Sequence, residues 1–474
     1  MAGLGSSFLF FLSIFYFSTV FSRTLEPIPC TSILDVSASN KKTEEFLSFS
    51  PATVDEKLEE SKHSNSSFTF KLYSRDTFHK SSFKTYRDLI LHRLKRDSVR
   101  VNFLINKFNF SFEQKNSSEL NPMDLEAPLI SGLSKGSGEY FVRFGFGTPA
   151  RQFYTAIDTG SDISWIQCKP CVNCYDQNDP IFDPATSSSY RQLTCNSPQC
   201  NQLPLSRCTS TGTCEYRVAY GDGSVTIGDF ATETLTFGDS AINNVGIGCG
   251  HDNEGLFTAS AGLFGLGRGS LSFPAQIKSS AFSYCLVDKD STSASTIEFG
   301  PSTLSNGAVT GSLLQNTRRR TFYYVGLTGI SVGGRMLPIS PSSFAIDASG
   351  NGGVIVDSGT AVTRFSTEVY NVLRDEFVKG TTTLTSAAGF SLFDTCYDLS
   401  SQTAVEVPTV ALHFGTNAWN LPAKNYMLPV GNKIYCFAFA TVSGVSIIGN
   451  VQQQGTRVSF NVGRSLIGFS PNNC

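Results

Sequence analysis

The distribution of apolar and polar residues changes twice along the chain. Residues 5–21 form a nearly continuous apolar run that polar sequence follows. Farther on, apolar side chains recur at helical spacing, at Tyr86, Leu89, Ile90, Leu94, Val101, Leu104 and Ile105. From residue 138 to the C-terminus, short alternating runs such as residues 140–149 end at Gly, Asn, Asp or Pro, which predicts strands and turns. We expect one amphipathic helix in this part, over residues 367–379.

The apolar start predicts a cleaved secretory signal over residues 1–22. A single membrane anchor is the alternative, but the run is slightly short for spanning a bilayer. No later segment is long and apolar enough to cross one, so we expect no stable membrane association.

Residues 23–130 differ in composition from the rest of the chain. They hold all three Asn-x-Ser/Thr glycosylation sites, at Asn65, Asn109 and Asn116. Residues 71–107 contain ten Lys or Arg against three acidic residues. A solvated basic helix would have this composition, and so would an inhibitory prosegment whose basic side chains face an acidic cleft. The position before a body expected to be secreted favours the prosegment. The polar, Gly/Ser-rich stretch over about residues 119–137 is expected to be an exposed linker where the prosegment is cleaved.

The strand-rich part contains an internal repeat. Residues 156–161 read Ala-Ile-Asp-Thr-Gly-Ser, and residues 355–360 read Ile-Val-Asp-Ser-Gly-Thr. Roughly one hundred residues later, each is followed by two apolar residues and a Gly, in residues 261–267 and 445–450. This order predicts duplicated β lobes that meet at the Asp motifs. We expect one lobe over residues 138–310 and the other over residues 311–474.

The composition narrows the classes of function. A chain of 474 residues is long enough for at least two lobes, and 39 Phe with few charged residues favour β structure. The net charge of −2 gives no indication of nucleic acid or an anionic membrane as the main partner, and we expect no nucleic-acid binding. We expect a monomer.

Two carboxylates brought together can catalyse hydrolysis without a metal, a cofactor or a covalent nucleophile. At close range, electrostatic repulsion opposes ionisation of both Asp158 and Asp357, so the pair would hold one proton. The ionised member can then take a proton from water while the protonated member donates one to a carbonyl. The neighbouring glycines allow tight turns and the neighbouring hydroxyls can bind the other loop or the carboxylates; these residues are Thr159, Gly160, Ser161, Ser358, Gly359 and Thr360.

Thirteen cysteines support an oxidising compartment. Cys30 stands alone, and the other twelve lie between Cys168 and Cys474. The spacing of Cys168, Cys171 and Cys174 also fits a zinc site, but the absence of a nearby His in the sequence and the many further cysteines favour disulfides.

These motifs resemble those of the pepsin-like aspartic proteases over about residues 138–474. The resemblance implies an all-β, bilobal fold with duplicated lobes and few short helices, with Asp158 and Asp357 as the catalytic pair. It implies that Tyr220 is the tyrosine of a flap over the substrate, with Gly221, Asp222 and Gly223 beside it. It further implies that Trp165 holds that tyrosine by a hydrogen bond.

A Cys-rich insertion over residues 168–214 is similar to that of the nepenthesin-type plant proteases. Residues 248–257 and 448–455 are similar to the plant type named "aspartic protease in guard cell". The disulfide scheme that this resemblance implies pairs Cys168–Cys171, Cys174–Cys249, Cys195–Cys214, Cys200–Cys208, Cys285–Cys474 and Cys396–Cys436.

The resemblance implies an aspartic endopeptidase, made as a zymogen, that cleaves proteins or peptides without metal or cofactor. We expect it in the secretory pathway, either extracellular in the apoplast or in the endoplasmic reticulum or vacuole. A catalytically inactive inhibitor or storage protein with the same fold is the alternative, although both Asp motifs are intact. Two Gly-x-Ser-x-Gly runs, at residues 132–136 and 329–333, lie outside the strand-to-helix context that a serine hydrolase needs.

Overall fold

The computed structural model describes residues 29–48, 68–78, 83–113, 140–219, 225–238, 240–254, 260–300, 304, 307–471 and 474. The predicted signal over residues 1–22, Asn65, Asn116 and the side chain of Asn109 lie outside the described residues. Within these described ranges, no helix combines the length and apolar character needed to span a membrane.

The N-terminal segment, residues 29–113, contributes two strands and three helices to the fold. Its elements are β1 (Thr31–Asp35), α1 (Val36–Ser48), β2 (Phe68–Ser74), α2 (Arg75–Phe78) and α3 (Tyr86–Glu113). The helix predicted from the spacing of apolar residues is therefore present as α3, and its polar side chains Arg93, Arg96, Asp97 and Arg100 are also buried.

The first lobe is built almost entirely from strands. Its elements are β3 (Tyr140–Phe146), β4 (Arg151–Asp158), β5 (Trp165–Gln167), β6 (Arg191–Gln192), β7 (Ser206–Cys208), β8 (Cys214–Ala219), β9 (Val225–Phe237), β10 (Ser240–Glu254), β11 (Gly262–Gly265), α4 (Phe273–Gln276), β12 (Ala281–Cys285) and β13 (Ser295–Phe299).

The second lobe repeats this strand-rich design. Its elements are β14 (Val309–Leu314), β15 (Tyr324–Val325), β16 (Gly329–Val332), β17 (Arg335–Met336), β18 (Val354–Val356), β19 (Thr363–Phe365), α5 (Thr367–Lys379), β20 (Thr385–Ala387), β21 (Cys396–Asp398), β22 (Ala404–Pro408), β23 (Val410–Phe414), β24 (Asn417–Leu421), β25 (Met427–Pro429), β26 (Ile434–Phe437), β27 (Phe439–Thr441), β28 (Ser446–Ile448), α6 (Asn450–Gln453), β29 (Thr456–Asn461) and β30 (Leu466–Pro471). The helix predicted over residues 367–379 is confirmed as α5, and Ser366 caps its N-terminus by accepting the N–H of Val369.

A run of antiparallel strands joins the two lobes, in the order β2, β13, β12, β29, β30 and β14. The strand β2 also pairs with β3, with Leu72 opposite Val142, so it is hydrogen-bonded on both sides. Phe70 and Leu72 of β2 are buried while Lys71 between them is exposed, which is the alternation of a strand with one face in a core. The N-terminal segment is thus part of the sheet that joins the lobes.

Aromatic side chains fill the space between the lobes and account for the high Phe content. Phe282 on β12 stacks on Phe460 of β29, with ring centroids 4.7 Å apart and planes at 11°. Tyr323 lies 4.5 Å from the same Phe460 ring. On the first-lobe side, Phe70 lies 4.2 Å from Phe237. The mostly β, bilobal fold implied by the resemblance is confirmed.

All twelve cysteines from Cys168 onward form disulfides, but four of the six expected pairs are wrong. The structure joins Cys168 to Cys249, Cys171 to Cys174, Cys195 to Cys208 and Cys200 to Cys214. Cys168 directly follows β5, which pairs in parallel with β10. The pairing of these two strands places Cys168 beside Cys249 rather than beside Cys171. The β7–β8 hairpin aligns Cys208 with Cys214, and each is bonded to a different neighbour. The pairs Cys285–Cys474 and Cys396–Cys436 are as the resemblance implied, and Cys30 is free and exposed.

The aromatic stack between the lobes yields a stability prediction. Replacing Phe460, which is fully buried, by Ala should lower the free energy of unfolding by about 3–5 kcal/mol, because a large ring is lost and a cavity remains. Unfolding in guanidinium chloride at neutral pH measures this. The matched control Met336→Ala, at a side chain that is 52% exposed, should change it by no more than about 0.5 kcal/mol. Equal stability of the two variants would contradict the role given to the stack.

Candidate active site

The two predicted aspartates occupy equivalent positions in the two lobes. Asp158 is the last residue of β4, and Asp357 directly follows β18. A parallel strand supports each of them, β11 beside β4 and β28 beside β18. Main-chain bonds fix both positions: Leu266 N donates to Asp158 O at 2.9 Å, and Asp357 N donates to Ile448 O at 3.1 Å. The apolar-apolar-Gly runs of the sequence are therefore the strands that position the aspartates.

The residues after each aspartate bind the opposite loop. Thr159 N donates to Ser358 Oγ at 3.3 Å, and Ser358 N donates to Thr159 Oγ1 at 3.0 Å. Both side chains are 1% exposed. These reciprocal hydrogen bonds hold the two loops together, in the role that the sequence analysis expected of the hydroxyls.

Each carboxylate also accepts hydrogen bonds from its own loop. Gly160 N lies 2.8 Å from Asp158 Oδ1, and Gly359 N lies 3.3 Å from Asp357 Oδ1. Thr360 Oγ1 donates to Asp357 Oδ2 at 2.6 Å, as expected. The corresponding bond from Ser161, which is buried nearby, stays a prediction.

A second layer of amides supports the Asp357 loop from below. Asn450 Nδ2 donates to Ser358 O at 2.8 Å, and Asn450 N donates to Thr360 O at 2.7 Å. Gln453 Nε2 donates to Ile448 O at 2.9 Å, and its Oε1 accepts from the Tyr284 hydroxyl. This Asn- and Gln-rich run was expected only as part of the resemblance to plant aspartic proteases, with no role for its side chains. Its supporting role could be inferred from the position of Asn450 directly after the apolar-apolar-Gly run that recurs in both lobes.

An arginine from the N-terminal segment lies between the two carboxylates. Arg100 Nη2 is 2.6 Å from Asp158 Oδ1 and 3.0 Å from Asp357 Oδ1. Arg100 Nη1 is 2.9 Å from Asp158 Oδ2, and Arg100 Nε is 3.1 Å from Asp357 Oδ2. All four carboxylate oxygens thus accept from one guanidinium, whose side chain is 2% exposed. A side chain at Gly160 would overlap Arg100 Nη2, so glycine is needed for this approach.

Arg100 was not predicted from the sequence as an individual site residue. It lies inside the basic run over residues 71–107 and at helical spacing from Arg93 and Arg96. Those two side chains are buried as well, with Arg93 Nε 2.6 Å from Asp76 Oδ2 and Arg93 Nη1 2.9 Å from Asp290 Oδ1. The helical period of the arginines, rather than their number, was the signal that could have identified a buried basic face.

Burial and charge shift the pKa values of this cluster in different directions. Burial, together with the charge of Asp357, raises the pKa of Asp158 even though Arg100 lowers it. Burial also raises the pKa of Asp357, but Arg100 and the hydrogen bonds from Thr360 and Gly359 lower it by a larger amount. The pKa of Asp357 is therefore below its usual value. Burial lowers the pKa of Arg100, and the two aspartates more than compensate, so Arg100 stays charged. The two carboxylates are thus chemically unequal.

The expected residues of the flap, and the tryptophan expected to bind its tyrosine, are not part of the cluster around Arg100. Tyr220, Gly221, Asp222 and Gly223 lie outside the described residues, although Ala219 and Val225 on either side are paired in a β8–β9 hairpin. Trp165 is buried on β5 with its ring 6.4 Å from that of Tyr175, and its predicted bond to Tyr220 stays a prediction. In the part of the chain that the structure describes, no group of three or more His, Cys, Asp or Glu could hold a metal ion.

Comparisons with known proteins agree on fold and family. Residues 140–301 match the family model "Xylanase inhibitor N-terminal", and residues 322–471 match "Xylanase inhibitor C-terminal". "Aspartyl protease family protein 2" of Arabidopsis thaliana is 47% identical, covering 98% of this chain and 97% of its own. "Protein ASPARTIC PROTEASE IN GUARD CELL 2" of Arabidopsis thaliana is 44% identical (87% and 89% covered), and "Aspartic proteinase nepenthesin-1" of Nepenthes gracilis is 41% identical (72% and 79% covered).

Solved structures with the same fold have lower sequence identity. The crystal structure of conglutin gamma, a basic 7S globulin from lupine seeds, has a TM-score of 0.56 and 19% identity, covering 72% of this chain and 93% of its own. The crystal structure of edgp has a TM-score of 0.59 and 20% identity, covering 72% and 92%. These likenesses concern the fold alone.

The amide layer yields a prediction about the site's support. Asn450→Ala removes the donor to Ser358 O in a fully buried place, so it should lower the free energy of unfolding by about 1–3 kcal/mol. Asn420→Ala, at an exposed position of β24, is the matched control and should be nearly neutral. Chemical unfolding of both variants at neutral pH is the measurement. A neutral Asn450→Ala would show that the amide does not support the loop.

Proposed function

Because the chain belongs to the plant pepsin-like aspartic proteases of nepenthesin type and is itself an aspartic-type endopeptidase, we propose that Asp158 and Asp357 are its catalytic pair. The support is the convergence of both carboxylates on one guanidinium, with a nitrogen of Arg100 within 3.0 Å of an oxygen from each. A group that small can be contacted from both lobes only where the two carboxylates face each other. Related proteases of this type act on proteins or peptides, and so does this chain.

When Arg100 is away, the pair shares one proton and can activate a water molecule between the lobes. One aspartate is ionised and accepts a proton from the water, whose oxygen attacks the peptide carbonyl carbon. The protonated partner donates to the carbonyl oxygen, and the tetrahedral intermediate collapses as the C–N bond breaks and the leaving nitrogen takes up a proton. The hydrogen bonds from Gly160, Gly359 and Thr360 keep the carboxylates oriented while their charges change.

The names of the matching family models and seed globulins raise the alternative of an inhibitor or storage protein. The relatives with 41–47% identity are named proteases, whereas conglutin gamma is only 19% identical. Both Asp-x-Gly motifs are intact, and each carboxylate has the hydrogen-bond donors that catalysis requires. We therefore treat the chain as an active enzyme.

The same contacts support a zymogen in which residues 23–130 are the prosegment and residues 138–310 and 311–474 are the two catalytic lobes. In this proposal α3 occupies the cleft and Arg100 blocks the catalytic pair. Phe108 extends the contact along the cleft: its ring lies 4.8 Å from Phe322, and its carbonyl accepts from Arg319 at 2.6 Å. Water and substrate are excluded from the carboxylates as long as α3 stays in place.

Acid favours release of this segment. Arg100 binds the doubly ionised pair best, so the closed form holds fewer protons than the open form, and lowering the pH favours opening. Burial and the charge of Asp357 raise the pKa of Asp158, so this carboxylate takes up its proton at a less acid pH than an ordinary aspartate does. Asp290, whose pKa is raised by burial and by Asp288 despite Arg93, also loses its charge early and weakens its contact with Arg93. Asp76 and Asp357, with lowered pKa values, keep their charges to more acid pH.

We place this zymogen in the secretory pathway, with residues 1–22 as the signal. The six disulfides require an oxidising compartment, which the apoplast, the endoplasmic reticulum and the vacuole route all provide. A monomer suffices in this proposal because both aspartates come from one chain, and the mechanism uses no cofactor. We propose N-glycans at Asn65, Asn109 and Asn116 in the prosegment.

Amide substitutions test the catalytic pair. Asp158→Asn and Asp357→Asn should each reduce cleavage of an unfolded protein substrate at least about 100-fold after acid treatment of the full chain, because neither amide can exchange the proton. The control Asp375→Asn, at a side chain that is 60% exposed on α5, should keep full activity. Thermal unfolding confirms that all three variants are folded. Full cleavage by either dyad variant would refute the proposal.

Arg100 tests the zymogen. Arg100→Gln loses the charge that favours the ionised pair, so activation should begin at a pH at least about one unit higher than in the parent chain. Arg100→Lys keeps the charge but not the four contacts, and should fall between the two. Activity and cleavage of the N-terminal segment, followed from pH 7 to pH 3, give the measurement. Lys95→Gln, at an exposed position of α3, is the control.

An unchanged onset of activation in Arg100→Gln would contradict acid release through the catalytic pair. The point variant is preferable to deleting residues 71–107, because that deletion would also remove residues 71–74 of the seven-residue strand β2 from the sheet between the lobes.

A further inference from the structure

A second charged contact joins α3 to the cleft, one helical turn before Arg100. The Asp97 carboxylate accepts from Ala361 N at 2.5 Å and from Val362 N at 3.2 Å. Its other oxygen accepts from the Arg364 guanidinium. Three donors of the catalytic body, at positions four, five and seven after Asp357, therefore converge on one carboxylate.

Arg364 has few other ways to satisfy its charge. Its side chain is 8% exposed, and the anionic partner that the structure gives it within the described residues is Asp97. Its Nε is buried and has no hydrogen-bond partner within that same part of the chain. Departure of α3 would leave a cation on the wall of the cleft without its anionic partner, so a bound substrate that excludes water from this wall must itself supply an anion to pair with it.

The surrounding space can accept a side chain. A cavity of about 360 Å³ lies beside Arg364, between α3 and the second lobe. Its wall on the catalytic body is formed by Arg364, Thr367, Thr441, Val442 and Ser443, and α3 forms the opposite wall with Ser98, Val101, Asn102 and Ile105. Removing α3 opens this space to the cleft.

The separation of Asp97 and Arg100 along α3 indicates which residue of a bound substrate would reach Arg364. Three residues of helix rise by about 4.5 Å, which is the separation along α3 between Asp97 and Arg100. An extended peptide covers that distance in one to two residues. A substrate side chain that takes the position of Asp97 therefore belongs to a residue within two positions of the peptide bond that the two aspartates cleave.

We propose that Arg364, together with the Ala361 and Val362 N–H groups, forms a subsite that selects an acidic substrate residue within two positions of the cleaved bond. The inference rests on the proposed catalytic pair and adds a substrate preference to it. Asp97 occupies this subsite in the zymogen and has the chemistry of the side chain that replaces it. Arg364 is thus a specificity-determining residue rather than a member of the catalytic pair.

Competition between paired peptides tests the subsite. Peptides that differ only by Asp or Asn at one of the four positions nearest the cleaved bond are mixed in equal amounts with the acid-activated full chain at pH 5, where Asp is ionised. At one of these positions the parent enzyme should prefer Asp by about tenfold in kcat/KM, as expected for a charge-assisted hydrogen bond. Because both peptides meet the same enzyme, the ratio does not depend on the fraction activated.

Arg364→Gln should reduce this ratio to about one while cleavage of the Asn peptide continues. Arg335→Gln, which removes an arginine that is 80% exposed and pairs with Glu376, is the control and should keep the preference. The double variant Asp97→Asn with Arg364→Gln keeps an acceptor for the Ala361 and Val362 N–H groups and leaves no unpaired charge in the zymogen, and it should cleave the Asp and Asn peptides equally. It serves as the second test if Arg364→Gln fails to fold.

The outcomes separate the two proposals. Cleavage by the parent with no acidic preference at any of the four positions, or a preference that persists in Arg364→Gln, would overturn the subsite and leave the catalytic pair intact. Absence of cleavage of every peptide and protein substrate would overturn the proposed catalytic pair, and with it the subsite.

Discussion

The repulsion between two buried carboxylates is the constraint around which this molecule is organised. Asp158 and Asp357 are each about 2% exposed or less, and each comes from a different lobe. Without compensation, two negative charges so close together would separate the lobes or take up a proton. Three devices oppose this: main-chain and hydroxyl donors to each carboxylate, the reciprocal bonds between Thr159 and Ser358, and the guanidinium of Arg100. The first two remain when the third leaves.

The parts of the fold that depend on local periodicity could be predicted from the sequence. The alternation in residues 140–149 matches β3, and the helical spacing in residues 367–379 matches α5. The repeated Asp and apolar-apolar-Gly runs were also sufficient to infer two equivalent loops, because the same strand support recurs around Asp158 and Asp357. A duplicated local pattern carries information about distant contacts that a single motif cannot carry.

Features that depend on how distant strands pair could not be predicted from the sequence. Cys168 bonds to Cys249, 81 residues away, because β5 and β10 run side by side, and its spacing to Cys171 says nothing about that neighbour. Arg100, Asp97 and Arg364 likewise acquire their partners only when α3 lies across both lobes. Charged residues on an amphipathic helix are usually solvated, so the helical period of the arginines can indicate a shared face but not the carboxylates that bind each of them. The four site residues around Tyr220 remain inferred from the resemblance.

The position of β2 couples inhibition to architecture. This strand is an interior member of the sheet, bonded to β3 on one side and to β13 on the other. It ends at Ser74, and α3 begins at Tyr86. A chain synthesised without this segment would leave one edge of β3 and one edge of β13 without a hydrogen-bonded neighbour, and exposed strand edges promote aggregation. The catalytic body and the segment that restrains it are therefore two parts of one sheet, and the body reaches its folded form already inhibited.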